Sequence, residues 1–460
     1  MDLNFKDLQS NAHLQRRSSY QERIALLQKL EEAIEAHVDL FCEALAKDFH
    51  KPRFESLLTE IYPLFTEIKH AKKELKKWMR PQKVATPLAL FGTSSRIQYQ
   101  AKGCVLIIAP WNYPLQLAIA PLIPAIAAGN TVVIKPSELA PNTAQAIHQV
   151  LKKTFAPNLV EVVLGGINET TELLKLPFDH IFFTGSTQVG KVVMEAAAKN
   201  LSSVTLELGG KSPTIILPDC DLKDAAKKIT WGKFINAGQT CVAPDYIFVH
   251  ESQKQNFINE LKNSFQEKYT QLDTDLAHII SPRHKARLDK LSADAEQNGA
   301  QIQILSANSS GEKFFAPRVV SGVNQSLQLM KEEIFGPILP IMTYSNIQEA
   351  VDFVNKNERP LALYIFGKDK NSINSILEST VSGGACVNDT VIHLANHHLP
   401  FGGIGPSGLG SYHGYFGFKA FSHEKAVLIQ SSWNKSMQLF YPPYNGFKQK
   451  ILDLLLKFKI

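Results

Sequence analysis

Cysteine is scarce in this 460-residue chain. The five, Cys42, Cys104, Cys220, Cys241 and Cys386, are odd in number, widely spaced and never form a C-x-x-C pair. That argues against a disulfide framework and a cysteine zinc site, and it fits a reducing, cytoplasmic setting. No apolar h-region follows Met1, so no signal peptide is expected. No Lys/Arg block stands out. The 49 basic and 43 acidic residues are spread along the chain for a net charge of +6, which gives nucleic-acid binding little support. Internal repeats and low-complexity tracts are also missing. Charge itself is absent from residues 103–134. That run holds Asn112, Gln116, Asn130 and prolines at 110, 114, 121 and 124, and it reads as a buried strand, loop, helix and strand rather than a membrane span.

What is present is a globular composition in a chain too long for one core, so two or three domains are expected. Helical periodicity covers residues 19–49 and 53–78. Residues 84–100 read as an extended ribbon placed to serve as an oligomer contact. Strands and helices then alternate: strand 105–108, helix 115–128 stopped by Gly129, strand 132–134, helix 143–153, strands 160–164 and 180–183. This alternation predicts an α/β fold with a doubly wound, Rossmann-like parallel sheet. A second α/β series begins near Pro213, with strand 214–217, helix 222–234, strand 246–249 and helix 253–268.

Two segments carry covalent chemistry. In Gly238-Gln239-Thr240-Cys241 a thiol sits among small and polar residues unlike those of a core strand. In Leu206-Glu207-Leu208-Gly209-Gly210 a carboxylate interrupts an apolar run before two glycines. A thiol nucleophile and a carboxylate base form a covalent-catalysis pair once the fold joins them. Glu207 alone is also compatible with an outer strand face; burial would raise its pKa, as a general base requires. Gly185, Ser186 and Gly190 open a strand-to-helix turn that suits a phosphate, although taken alone the pattern is more often a plain βα turn. Lys135 and Glu138 follow a buried strand, where they suit ribose hydroxyls or form a solvated pair. Asn112 between Pro110 and Pro114 is a neutral donor for an oxyanion or an Asx turn. Glu333 and Phe335, in Glu332-Glu333-Ile334-Phe335-Gly336-Pro337, could simply end a helix. His393, His397 and His398 read as a histidine-rich loop, and no metal is expected.

In their order along nearly the whole chain, these motifs resemble the aldehyde dehydrogenase superfamily, specifically its class-three branch of fatty and aromatic aldehyde dehydrogenases. Arg359-Pro360-Leu361-Ala362-Leu363-Tyr364 and Ser411-Tyr412-His413-Gly414 point to that branch. Pro406 departs from it, standing where Asn is more usual. The resemblance implies Cys241 as nucleophile, Glu207 as general base, and Asn112 with the Cys241 N–H as oxyanion hole. It implies Glu333 and Phe335 at the nicotinamide ribose and ring, Lys135 and Glu138 at the adenosine ribose, and Gly185, Ser186 and Gly190 along the diphosphate. Tyr113, Trp231, Thr240, Phe401 and His413 would line an aldehyde tunnel. The implied reaction is NAD-dependent oxidation, with NADP also accepted, of medium- or long-chain aliphatic or aromatic aldehydes through a thiohemiacetal and thioester. The competing readings are a cofactor-independent thiol esterase or thioesterase and a non-catalytic scaffold.

The expected division is a cofactor domain from 1–80 and 101–210, a catalytic domain at 211–390, a ribbon and tunnel loop at 81–100 and 391–430, and a tail at 431–460. A homodimer is expected. The tail alternates Lys448, Lys450, Lys457 and Lys459 with Ile451, Leu452, Leu454, Leu455, Leu456, Phe458 and Ile460. It is too short to span a membrane, which takes about 20 residues. Docking on the partner subunit is favoured over an interfacial membrane helix.

Overall fold

The structure, a computed structural model, describes residues 3–87, 90–306, 311–433 and 436–458. Lys459 and Ile460 of the tail therefore lie outside the described residues, as do Leu88 and Ala89 of the ribbon. Two large sheets and one small sheet organise the chain. The first has six strands in the order Gly408–Leu409, Ser203–Glu207, His180–Thr184, Cys104–Ile108, Thr131–Lys135 and Val160–Val162. All pair in parallel except the short Gly408–Leu409 strand. The short apolar strands Cys104–Ile108, Thr131–Lys135 and His180–Thr184 are buried throughout, as strands covered by helices on both faces must be.

The register fixes where ligands can approach. Ile108 lies opposite Lys135 on one side and Phe183 on the other. Pro110, Pro136 and Gly185 therefore follow the sheet at nearly one level. The crossovers diverge between Cys104–Ile108 and His180–Thr184, which makes this edge the switch point of the doubly wound sheet.

The second sheet has seven strands in the order Gln301–Ile304, Arg318–Ser321, Ile338–Tyr344, Tyr246–His250, Pro213–Ile216, Ala362–Phe366 and Gly384–Val387. Only Gln301–Ile304 runs antiparallel to its neighbour. Gln82–Val84, Thr93–Ala101 and Ser422–Gln430 form an antiparallel ribbon. Ser422–Gln430 is its outer strand, with Leu428 and Ile429 exposed and no strand beyond it among the described residues.

Several helices differ from the periodic pattern. The stretch expected as one helix over 115–128 is broken into Gln116–Ile119 and Leu122–Ala128. Pro121 and Pro124 lack the N–H that an unbroken ladder needs. Gly129 ends the second piece at φ 88°, as expected of a left-handed cap. Residues 19–49 divide into Tyr20–Ala36 and Val38–Phe49 at His37. Residues 53–78 run as Arg53–Ser56, a π-helical turn Leu57–Ile61, and Tyr62–Trp78. The tail forms helix Gly446–Phe458 with no buried residue. No helix among the described residues is long and apolar enough to cross a membrane.

Candidate active site

Cys241 follows helix Leu222–Phe234 through an unusual turn. Asn236 (φ 51°, ψ 31°) and Ala237 (φ 50°, ψ 34°) are both left-handed, and Gly238 follows at φ 74°. Gly238 adopts that conformation freely and Asn tolerates it, whereas at Ala237 it costs roughly 1–2 kcal/mol. Hydrogen bonds hold them. The Asn236 side chain donates to Asn112 O (2.8 Å) and Gln239 O (3.1 Å). Gln239 donates to Asn236 O and His278 O and accepts from Ile280 N. A Cβ on Gly238 would lie 2.4 Å from Gly336 O, so this glycine also permits close approach of the Glu333–Gly336 segment.

The structure brings Cys241, Glu207 and Asn112 to one place. Asn112 is buried, and its amide donates to Gln239 O at 3.1 Å, two residues before the thiol. One amide hydrogen remains for a ligand. Glu207 ends its strand at 2% exposure, and neither carboxyl oxygen has a hydrogen-bond partner among the described residues. Gly408–Leu409 covers its strand, with Gly408 opposite Glu207. Burial holds the Glu207 carboxyl well above the usual carboxylate range. Burial, then the charges of Glu333 and Glu207, push the Cys241 thiol up as well.

Cys241 lines an apolar cavity of about 520 Å³. Tyr113, Trp231, Thr240, Phe401 and His413 line it too. Tyr113 and Thr240 share a 2.6 Å hydroxyl hydrogen bond. His413 stacks on Phe401 with ring centres 5.3 Å apart and is held to about pKa 4 by burial. Glu67 and His397 also line the wall, a place the sequence reading did not give them. Glu67 accepts from Gly414 N at 2.8 Å and meets His397 Nδ1 at 2.5 Å.

The remaining residues lie toward the carboxyl ends of the first sheet. Lys135 is buried; its Nζ donates to Pro136 O at 2.7 Å and lies 3.5 Å from the half-exposed Glu138. Ser186 caps helix Thr187–Asn200 by accepting from Val189 N, leaving the positive helix end open to an anion. Gly185 and Gly190 serve packing. A Cβ on Gly185 would strike Phe183, and one on Gly190 would strike Leu208. The Pro406 carbonyl accepts from Thr187 at 2.9 Å, tying the glycine-rich segment to that same helix end. Glu333 lies against Gly209, where a Cβ would fall 2.1 Å from its Oε2. Burial and the Asp245 charge push Glu333 up to about 8. Phe335 has φ 47° and meets Trp111 edge-on at 5.2 Å. A partly screened ammonium, an open helix end and a carboxylate over a glycine are a donor set that fits a dinucleotide. Among the described residues no group of three or more His, Cys, Asp or Glu could hold a metal.

The N-terminal segment contributes three charges to which the sequence reading gave no role. Lys51 and Glu60 pair at 2.6 Å with both side chains fully buried. Glu60 also accepts from Leu115 N and Gln116 N, each at 3.0 Å. Glu55 accepts from Asn236 N at 2.9 Å. Burial lifts Glu55 to about 7 against the pull of Lys51. No local signal marks the roles of Glu60 and Glu55, because the backbone amides they hold lie 55 to 181 residues away.

The aldehyde dehydrogenase family model matches residues 5–427. The chain is 47% identical over 425 residues to the 4,4'-diaponeurosporen-aldehyde dehydrogenase of Staphylococcus aureus, covering 91% of each protein. It is 41% identical over 427 residues to the dimeric NADP-preferring aldehyde dehydrogenase of Canis lupus familiaris, covering 92% of this chain and 93% of that protein. The substrate-bound structure of Staphylococcus aureus AldH superposes with a TM-score of 0.93 at 44% identity, covering 98% of both chains. Two more distant solved relatives are complexes with NAD+ and with NADP.

Proposed function

The chain belongs to the aldehyde dehydrogenase family, and we propose that it oxidises medium- or long-chain aliphatic or aromatic aldehydes to carboxylic acids with NAD(P). The observation that carries this reading is that Cys241 lines an apolar cavity, with Asn112 tied to the turn just before it and the buried, unpartnered Glu207 close enough for its charge to act on the thiol. The Cys241 thiolate adds to the aldehyde carbon. The free Asn112 amide hydrogen and the Cys241 N–H receive the developing oxyanion. The bound nicotinamide supplies the hydride acceptor. Glu207 then takes a proton from water as that water attacks the thioester, and the acid leaves.

Lys135, Glu138, Glu333 and the helix end at Ser186 support cofactor use over a thiol esterase, which has no need of them. In this reading the first sheet carries the cofactor half, and the second carries the nucleophile. Glu138 suits a 2′-hydroxyl better than a 2′-phosphate, so NAD is the preferred form, although the canine relative is named for NADP. A homodimer joined through the outer ribbon strand, in the cytoplasm, completes the proposal. The dimeric name of that relative supports the first part. The tail helix would cover part of the partner, with membrane contact as the alternative.

The test is reduced-nicotinamide formation with either cofactor over a series from acetaldehyde to decanal and benzaldehyde. Each buried methylene is worth about 0.8 kcal/mol, so kcat/KM is expected to rise about fourfold per carbon until the cavity is filled. A higher kcat/KM for acetaldehyde than for hexanal or benzaldehyde would refute the substrate class. Ester cleavage without cofactor, and no aldehyde turnover, would favour the hydrolase.

A further inference from the structure

We propose that Lys51, Glu55 and Glu60 are positioning residues: one buried charged cluster holds both the turn that presents Cys241 and the segment that presents Asn112. The inference rests on the roles assigned above to Cys241 and Asn112. None of the three residues lines the cavity, so each acts through the backbone it holds.

The geometry starts with the π-helical turn Leu57–Ile61. Residues five apart on an α-helix point about 140° away from each other. A π-turn closes at i→i+5 and brings such residues toward one side. Glu55 and Glu60 are five apart at this turn, and the charge of Lys51 acts on both. Glu60 turns one oxygen to Lys51 and the other to Leu115 N and Gln116 N. Those amides come directly after Asn112-Tyr113-Pro114, and Pro114 has no N–H of its own to anchor the segment. The Lys51 ammonium lies 4.5 Å from the centre of the Tyr113 ring. Glu55 takes the N–H of Asn236, the first left-handed residue of the nucleophile turn. The Tyr113–Thr240 hydrogen bond closes the circuit between the two segments.

Stability alone does not explain the cluster. A fully buried ion pair is generally no more stable than apolar side chains of similar volume. The left-handed Asn236 and Ala237, by contrast, persist only where their surroundings over-determine them. Without Glu55, the Asn236 N–H would be a buried donor with no acceptor at the point where the strained turn begins.

The test uses the full-length enzyme. Glu55→Gln keeps an acceptor oxygen at the same reach. Glu55→Asp keeps the charge but withdraws it by one methylene. Glu55→Ala removes both. Three quantities are measured: Tm, kcat and KM for hexanal, and the rate at which iodoacetamide alkylates Cys241. Alkylation reports how the thiol is presented without needing turnover. Expected for Glu55→Gln are kcat and alkylation within about threefold of wild type. Expected for Glu55→Asp, well below its Tm, are a kcat loss of at least tenfold, an aldehyde KM within about threefold, and a changed alkylation rate. Glu55→Ala should follow Asp. If it does not fold, the Asp and Gln pair decides. The proposal is overturned if Glu55→Asp or Glu55→Ala lowers Tm but leaves kcat and alkylation at wild-type values, or if Glu55→Gln is as impaired as Glu55→Asp. Failure of the underlying assignment shows separately, as full activity in Cys241→Ser.

Discussion

Glu207→Gln separates the two halves of the proposed reaction. Both carboxyl oxygens of Glu207 lie buried without a hydrogen-bond partner among the described residues. Replacing the carboxyl with an amide of the same shape therefore breaks no hydrogen bond. The stability change should stay within about 1 kcal/mol. Hydride transfer from the thiohemiacetal needs no base for water, whereas thioester hydrolysis does. A positioned base contributes about 10²–10⁴-fold, equivalent to about 2.7–5.4 kcal/mol of barrier. Stopped-flow absorbance of reduced nicotinamide should show a burst near one equivalent per site, followed by turnover slowed by that factor. The pH profile carries a second signature. Burial raises the Glu207 pKa, and the base acts only when ionised. Wild-type kcat should therefore fall as pH drops through that raised value, and the Gln variant should lack this limb. Steady turnover at the wild-type rate in Glu207→Gln, or a full burst in Cys241→Ser, would refute the reasoning.

Two further perturbations probe neighbouring parts. Gly209→Ala places a Cβ where the Glu333 carboxylate lies, at 2.1 Å from Oε2. The flexible carboxylate should swing away, weakening cofactor binding about tenfold, or about 1.4 kcal/mol, at nearly unchanged Tm; unchanged cofactor affinity by titration would remove Glu333 from the cofactor site. His413 is held by burial to about pKa 4, below the 6.5 of a free imidazole. Below pH 6.5 the unfolded chain takes up a proton that the folded one refuses until about pH 4, so stability should fall by about 3 kcal/mol across that window. His413→Asn should flatten Tm against pH there, and an identical slope would count against the assignment.

The sequence carried the local features well. Helix Leu222–Phe234 has the bounds that its periodicity predicts. The buried strands Cys104–Ile108 and His180–Thr184 differ from expectation by one residue at an end. Short-range pattern decides such elements, and short-range pattern is what a sequence displays. The turn at Asn236–Gly238 was invisible for the opposite reason. Asn tolerates the left-handed region but Ala does not, so no local pattern sets two such residues in a row. Their conformation comes from Glu55, Asn112 and Gln239. The π-turn at Leu57–Ile61 was hidden in the same way, inside residues with ordinary helical periodicity. Glu207 lies between these cases. Its residue type and place on a strand were legible, but its burial was not, because the covering strand Gly408–Leu409 comes from the far end of the chain.

Electrostatics gives the cavity end a consequence that no single residue reveals. Cys241, Glu207 and Glu333 are three acids whose charged forms burial disfavours. The charges of Glu207 and Glu333 each make ionising the thiol harder. No Lys or Arg lines the cavity among the described residues. Two lysines close to this end of the site are already paired, Lys51 with Glu60 and Lys211 with Asp245. The backbone N–H groups of Cys241 and Val242 are what the protein offers the thiolate, and they only partly offset burial. The free enzyme therefore favours the neutral thiol at neutral pH. A cationic group arriving beside Glu333 would favour the thiolate directly and would reduce the repulsion from Glu333. Burial and the charges of Glu333 and Glu207 thus work against the thiolate, and the same desolvation that raises Glu207 suits it to accept a proton from water.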